Sequence, residues 1–85
     1  MADIQIYTKA WCPYCIRAKS LLKGKKQNYN EIDIGRDRTK REEMIQRSDG
    51  RSTVPQVFID GQHVGGCDEL VALDRAGRLD AMLSG

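Results

Sequence analysis

Polar and apolar positions alternate in Ile4-Gln5-Ile6-Tyr7, a run rich in β-forming residues that predicts a strand. The period then lengthens. From Pro13 to Lys23, Cys15, Ala18 and Leu22 share one face with Leu21 beside them, while Arg17, Lys19 and Lys23 face water. Gly24 stands where such a helix would stop. Alternation returns from Asn28 to Ile34, with Ile32 and Ile34 on one face, and predicts a second strand. Thr39-Lys40-Arg41-Glu42 has capping-box spacing and predicts a helix to about Ser48 that buries Met44 and Ile45 and closes at Gly50. Gln56-Val57-Phe58-Ile59 reads as a strand, Asp60-Gly61 as a two-residue hairpin turn, and Gln62-His63-Val64 as its antiparallel partner. Asp68 can cap a helix carrying Leu70, Val71 and Leu73; after Gly77, Leu79, Met82 and Leu83 suggest a last helical segment. The order β-α-β-α-β-β-α predicts an α/β domain: a four-stranded mixed sheet with helices on both faces.

Composition narrows the class. The chain of 85 residues predicts one domain, residues 1–85. Its 40% hydrophobic and 31% charged content fits a soluble globular protein. A net charge of +2 is too small to predict a nucleic-acid partner, and no apolar run is long enough for a membrane span. The start, Met1-Ala2-Asp3-Ile4, lacks the basic and apolar regions of a secretory signal. Three cysteines, an odd count, fit a secreted disulfide scaffold poorly and predict a cytoplasmic redox or metal role.

Candidate chemistry centres on Trp11-Cys12-Pro13-Tyr14-Cys15. A helix beginning at Pro13 puts Cys12 at its N-terminus, where unpaired N–H groups and the helix dipole favour thiolate over thiol. Such settings lower a cysteine pKa from about 8.5 into the range of roughly 3.5–7.5. Pro13 suits the first helical position, and Cys15 is near enough to attack a mixed disulfide formed on Cys12. CxxC beside a βαβ pattern is the signature of a thioredoxin-like fold. The competing reading is zinc. Cys12, Cys15, His63 and Cys67 count to four ligands, but Val64-Gly65-Gly66 reads as strand end and turn, not a ligand knuckle.

Two further stretches and two single residues join the candidates. Thr53-Val54-Pro55 opens a core strand, where Val54 can offer backbone groups to an extended substrate. Gly65-Gly66-Cys67-Asp68 leads into a helix. Its glycines permit close backbone approach, its N–H groups suit a carboxylate, and Asp68 suits an ammonium, as a free α-amino acid head would present them. Lys9 can stabilise a thiolate or hold a substrate carboxylate. Tyr14 reads as an exposed wall for a small substrate, with Trp11 similar or packed at the loop. Arg36, Arg38, Lys40 and Arg41 read as a solvated helix start, and His63 as a strand residue without catalytic duty.

The chain resembles the glutaredoxin family over nearly its whole length. Ile6-Tyr7-Thr8-Lys9, Cys12-Pro13-Tyr14-Cys15, Thr53-Val54-Pro55 and Gly65-Gly66-Cys67-Asp68 carry the resemblance, in the family's order and approximate spacing. It is most similar to the small bacterial dithiol members. The resemblance implies a thioredoxin fold and a glutathione-dependent thiol-disulfide oxidoreductase that reduces protein disulfides and glutathionylated mixed disulfides. It implies Cys12 as nucleophile, Cys15 as resolving thiol and a cis Pro55. Lys9 would meet the glycine carboxylate of glutathione, with Tyr14 lining that groove. Thr53 and Val54 would pair with the cysteinyl backbone, and Gly66, Cys67 and Asp68 would hold the γ-glutamyl head. Arg51 falls where the family often has a polar or basic glutathione contact, and Cys67 is not expected to be catalytic. Glutathione would serve as substrate and reductant with no tightly bound cofactor or metal. The expected partners are disulfide-containing or glutathionylated proteins, with ribonucleotide reductase one family-level candidate, and the expected state is a monomer. Two alternatives remain: a [2Fe-2S] cluster carrier, against which Pro13 counts, and a related electron donor reduced by thioredoxin reductase, against which Lys9 and Gly65-Gly66-Cys67-Asp68 count.

Overall fold

The computed structural model describes residues 2–84. The elements run β1 (Ile4–Thr8), α1 (Pro13–Gly24), β2 (Asn30–Asp33), α2 (Arg38–Arg47), β3 (Gln56–Ile59), β4 (Gln62–Gly65), α3 (Cys67–Arg75) and α4 (Leu79–Ser84). The sheet order is β2-β1-β3-β4, with β1 parallel to β2 and antiparallel to β3, and β3 antiparallel to β4. This is the mixed four-stranded sheet that the alternation predicts.

Strand alternation divides the core into two. Ile4 and Ile6 of β1 and Val57 and Ile59 of β3 point to one face, where Ala18 and Leu22 of α1, Cys67 and Leu70 of α3, and Leu79 and Leu83 of α4 bury them. Tyr7 and Phe58 point to the other, against Ile34, just after β2, and Met44 of α2, with Ile32 and Ile45 packed at the margin. Asp60 and Gly61 both have positive φ, 51° and 80°, as a two-residue type I′ hairpin turn requires.

Four boundaries differ from the sequence reading. The α2 cap is Asp37, whose carboxylate accepts the N–H groups of Thr39 and Lys40 at 3.0 and 3.3 Å. The Thr39–Glu42 box is not the cap because Asp37, two residues earlier, already satisfies those donors. The α3 cap is Gly66, not Asp68, which lies inside the first turn. Glu69 reaches back to accept the Gly66 N–H at 2.9 Å. Helix α1 runs through Gly24, and the left-handed residue that ends the segment is Lys26, φ 59°. The Gln27 N–H then closes on the Leu22 carbonyl at 3.1 Å. Strand β2 is also shorter than expected, beginning at Asn30.

Candidate active site

The C-terminal end of β1 delivers the chain to Cys12 through a turn in which Trp11 takes φ 63°, a left-handed conformation rare for a bulky side chain. Trp11 is consequently thrown outward and is 96% exposed. Cys12 is the extended residue ahead of α1, and its carbonyl accepts the Ile16 N–H at 3.1 Å. Pro13 follows at the start of the helix, as the spacing predicts.

The two thiols occupy different surroundings. Cys12 is half-buried at the surface, and its sulfur lies 3.9 Å from the Val54 carbonyl oxygen. It makes no hydrogen bond to the opening turn of α1, so the expected contact between that sulfur and the helix N–H groups is not made. The Tyr14 and Cys15 N–H groups belong to the four that a helix start leaves without an intrahelical partner. Cys15 lies in the core, 1% exposed. Burial, then hydrogen bonding to Cys12, pushes its pKa up to about 12, against a backbone hydrogen bond from Lys9 and the Lys19 charge. Cys15 therefore stays a neutral thiol at pH 7, and the thiol open to an incoming disulfide is Cys12.

A shallow cleft of about 240 Å³ opens beside this pair. Tyr14, Thr53, Val54 and Pro55 line one part, and Gly66, Cys67 and Asp68 the other. The three sequence motifs are thus brought to one place. Val54–Pro55 is cis, and among the described residues no backbone hydrogen bond holds the N–H or C=O of Val54. Tyr14 is 56% exposed, a wall with an open aromatic face. Gly66 is needed for the approach of the two walls: a Cβ there would stand 3.2 Å from the Pro55 carbonyl oxygen.

Lys9 is not brought to this cleft. It lines a separate groove with Ile34, Gly35, Arg36 and Arg38. Nor do Cys12, Cys15, His63 and Cys67 converge as metal ligands; no such cluster exists among the described residues. His63 stacks on Phe58 at 5.0 Å on the α2 side of the sheet, while Cys67 packs on the other side. Burial raises the Cys67 thiol above its ordinary pKa.

Glu69 is the site residue that the sequence reading missed. Its carboxylate takes the Gly66 N–H and the Arg51 guanidinium, the latter at 2.6 Å, and the Gly66 bond and then Arg51 hold it below the usual carboxylate range. Arg51 and Glu69 together frame the end of the cleft. The signal was present as the three-residue spacing from Gly66 to Glu69, which is that of a cap and its third helical residue.

The family model described as glutaredoxin matches residues 4–64. The chain is 59% identical to "Glutaredoxin 3" of Escherichia coli (strain K12) over 83 residues, covering 98% of this chain and 99% of that relative. It is 52% identical to "Glutaredoxin" of Pseudomonas aeruginosa over 84 residues, covering 99% of each. Among solved structures, the glutaredoxin of Brucella melitensis superposes with a TM-score of 0.86 at 52% identity, covering 98% of this chain and 89% of that one. A buckwheat glutaredoxin–glutathione complex superposes with a TM-score of 0.89 at 32% identity, covering 98% of this chain and 77% of that one.

Proposed function

The chain belongs to the glutaredoxin family and is a glutathione-dependent thiol-disulfide oxidoreductase, and on that premise we propose that Cys12 is its nucleophile, Cys15 its resolving thiol and the adjoining cleft its glutathione seat. The observation that carries this reading is the contrast between the thiols: Cys12 open at the surface, Cys15 buried and protonated. A disulfide approaching from solvent meets only the first.

With a glutathionylated protein, the Cys12 thiolate attacks the glutathione sulfur. An S–S bond forms between Cys12 and glutathione, the old S–S bond breaks, and the protein leaves as a thiolate that takes up a proton. A second glutathione, as thiolate, attacks the same glutathione sulfur and leaves Cys12 reduced beside glutathione disulfide. With a protein disulfide, Cys12 forms the mixed disulfide and Cys15 displaces the protein, giving up its proton as it attacks. Two glutathiones then reduce the Cys12–Cys15 disulfide.

The seat follows from what each wall offers. Thr53 and Val54, ahead of β3, present free backbone to the cysteinyl unit, as an added strand would use it. The Gly66–Cys67–Asp68 turn offers α3 N–H groups to the γ-glutamyl carboxylate and the Asp68 carboxylate to its ammonium. Tyr14 and Pro55 form the sides, and Lys9 contributes through the reach and charge of its long side chain, not as a lining residue. Glutathione is the reductant, with no tightly bound cofactor. The whole chain, residues 1–85, acts as one monomeric domain in the cytoplasm, where three free thiols stay reduced. Its partners are glutathionylated or disulfide-containing proteins, a ribonucleotide reductase disulfide being one such substrate.

A glutathione-coupled assay of single-cysteine variants tests the assignment. Cys12→Ser abolishes turnover of a glutathionylated peptide, whereas Cys15→Ser retains it and loses reduction of a protein disulfide. Turnover by Cys12→Ser would overturn the assignment.

A further inference from the structure

The segment that pairs with substrate in the proposed seat packs through Val54 on the Tyr7–Phe58 side of the core but lacks backbone support. Thr53 and Val54 lie before β3, and among the described residues no backbone hydrogen bond fixes either. Thr53 is instead held by a side chain. Gln56 is fully buried, and its Nε2 donates to the Thr53 carbonyl at 3.0 Å and approaches the Thr53 hydroxyl at 3.3 Å. Its Oε1 then faces the only histidine of the chain, His63, whose Nε2 lies 2.7 Å away. Every polar atom of the Gln56 amide is occupied, which a buried amide requires.

Strand geometry produces this line. His63 of β4 pairs with Phe58 of β3, two residues from Gln56 and on the same face of the sheet. Its ring stacks on Phe58 at 5.0 Å. The amide of Gln56 cannot rotate to suit His63, because the Thr53 carbonyl demands its NH₂ group. Oε1 must accept, so His63 must donate through Nε2–H. Burial, with the Arg51 charge next, keeps the imidazole neutral, with Glu69 and Asp49 opposing and Arg47 adding to that effect. A neutral ring carries one N–H, and here it is committed to Gln56.

We propose that His63 is a positioning residue for the disulfide exchange, setting Gln56 so that Thr53 and Val54 stand at the right distance from glutathione and from Cys12. It touches neither the substrate nor the reacting sulfurs. This inference rests on the proposed seat and adds to it a residue on the opposite strand of the hairpin. Removing the donor leaves a buried acceptor unpaired and holds the Gln56 amide from one side only, which loosens its grip on Thr53. The Val54 carbonyl, 3.9 Å from the Cys12 sulfur, moves with that segment.

The test uses His63→Phe, which keeps an aromatic ring against Phe58, Gln56→Met, which keeps apolar bulk, and the double variant. Each single variant raises KM for a glutathionylated peptide about threefold to tenfold, the worth of one hydrogen bond, with kcat little changed. The double variant is no worse than Gln56→Met alone, because His63 acts only through Gln56. Alkylation of Cys12 by iodoacetamide, which does not use the cleft, is unchanged throughout. Additive effects, an unmoved KM, or parallel losses in kcat and alkylation overturn the proposal. In the unmodified protein, imidazole ¹⁵N shifts report the Nε2–H tautomer; the Nδ1–H tautomer overturns it even if a variant fails to fold. Should the unmodified protein leave the glutathionylated peptide untouched, the glutathione seat fails instead, and the tautomer still decides the His63–Gln56 bond.

Discussion

The Val54 carbonyl oxygen lies 3.9 Å from the Cys12 sulfur, although the two residues are 42 positions apart in the chain. Val54 thereby sits beside the sulfur proposed as the nucleophile, and among the described residues its own backbone groups are unpaired by other backbone. On the proposed reading, a glutathione joined to Cys12 pairs with those groups. In Cys15→Ser carrying glutathione on Cys12, the Val54 amide should exchange with solvent about tenfold more slowly than in the reduced variant, the effect of one hydrogen bond of roughly 1.4 kcal/mol. Amide exchange followed by NMR measures this. Equal exchange in the two forms contradicts strand-like pairing at Val54.

The raised Cys15 pKa makes stability fall at alkaline pH. The unfolded thiol ionises near 9.0 and the folded one only near 12. Below both values the thiol is protonated in either state and its contribution is complete. Between them the unfolded state has released its proton and the folded state has not, so unfolding is progressively favoured. The loss is at most about 1.4 kcal/mol per pH unit in this window. Urea titrations of the reduced protein and of Cys15→Ala at pH 8 and pH 10 isolate it from other titrating groups. The unmodified chain should lose more stability over that interval; equal losses show that Cys15 is not held protonated.

Gly65 is required by its neighbour. Its φ is +118°, and a Cβ there would stand 2.5 Å from the Glu69 carboxylate oxygen. Gly65→Ala therefore pays for both backbone strain and expulsion of Glu69 from Gly66, about 1–3 kcal/mol. It should also raise KM for a glutathionylated substrate, because the Gly66–Asp68 turn loses its anchor. Adding Glu69→Ala removes the clash partner, so the double variant should be less destabilised than the sum of the singles. Thermal unfolding of the three variants checks this, and strict additivity contradicts it.

The fold was legible because its periods are clean. Ile4 and Ile6 against Tyr7, and Val57 and Ile59 against Phe58, separate the two core faces as plainly in the sequence as in the sheet. Caps were less legible, since Asp37 and Thr39 are both capable and only the path of the chain chooses between them. The cleft residues could be found because each motif carries its own backbone signal: a proline after Val54, two glycines before Cys67. Lys9 carried no such signal, and a long exposed side chain can be placed in either of two grooves by the same sequence. Gln56 and His63 read as ordinary strand residues. Their bond depends on a cross-strand register that no local spacing encodes.

On the proposed assignment, one thiol of three meets the incoming disulfide. Limiting iodoacetamide added to the reduced protein at pH 7, followed by peptide mapping, identifies that thiol. The label should land on Cys12, with Cys15 and Cys67, both buried and both raised above the ordinary thiol pKa, left almost unmodified. Label on Cys15 or Cys67 at a rate comparable to Cys12 contradicts the assignment.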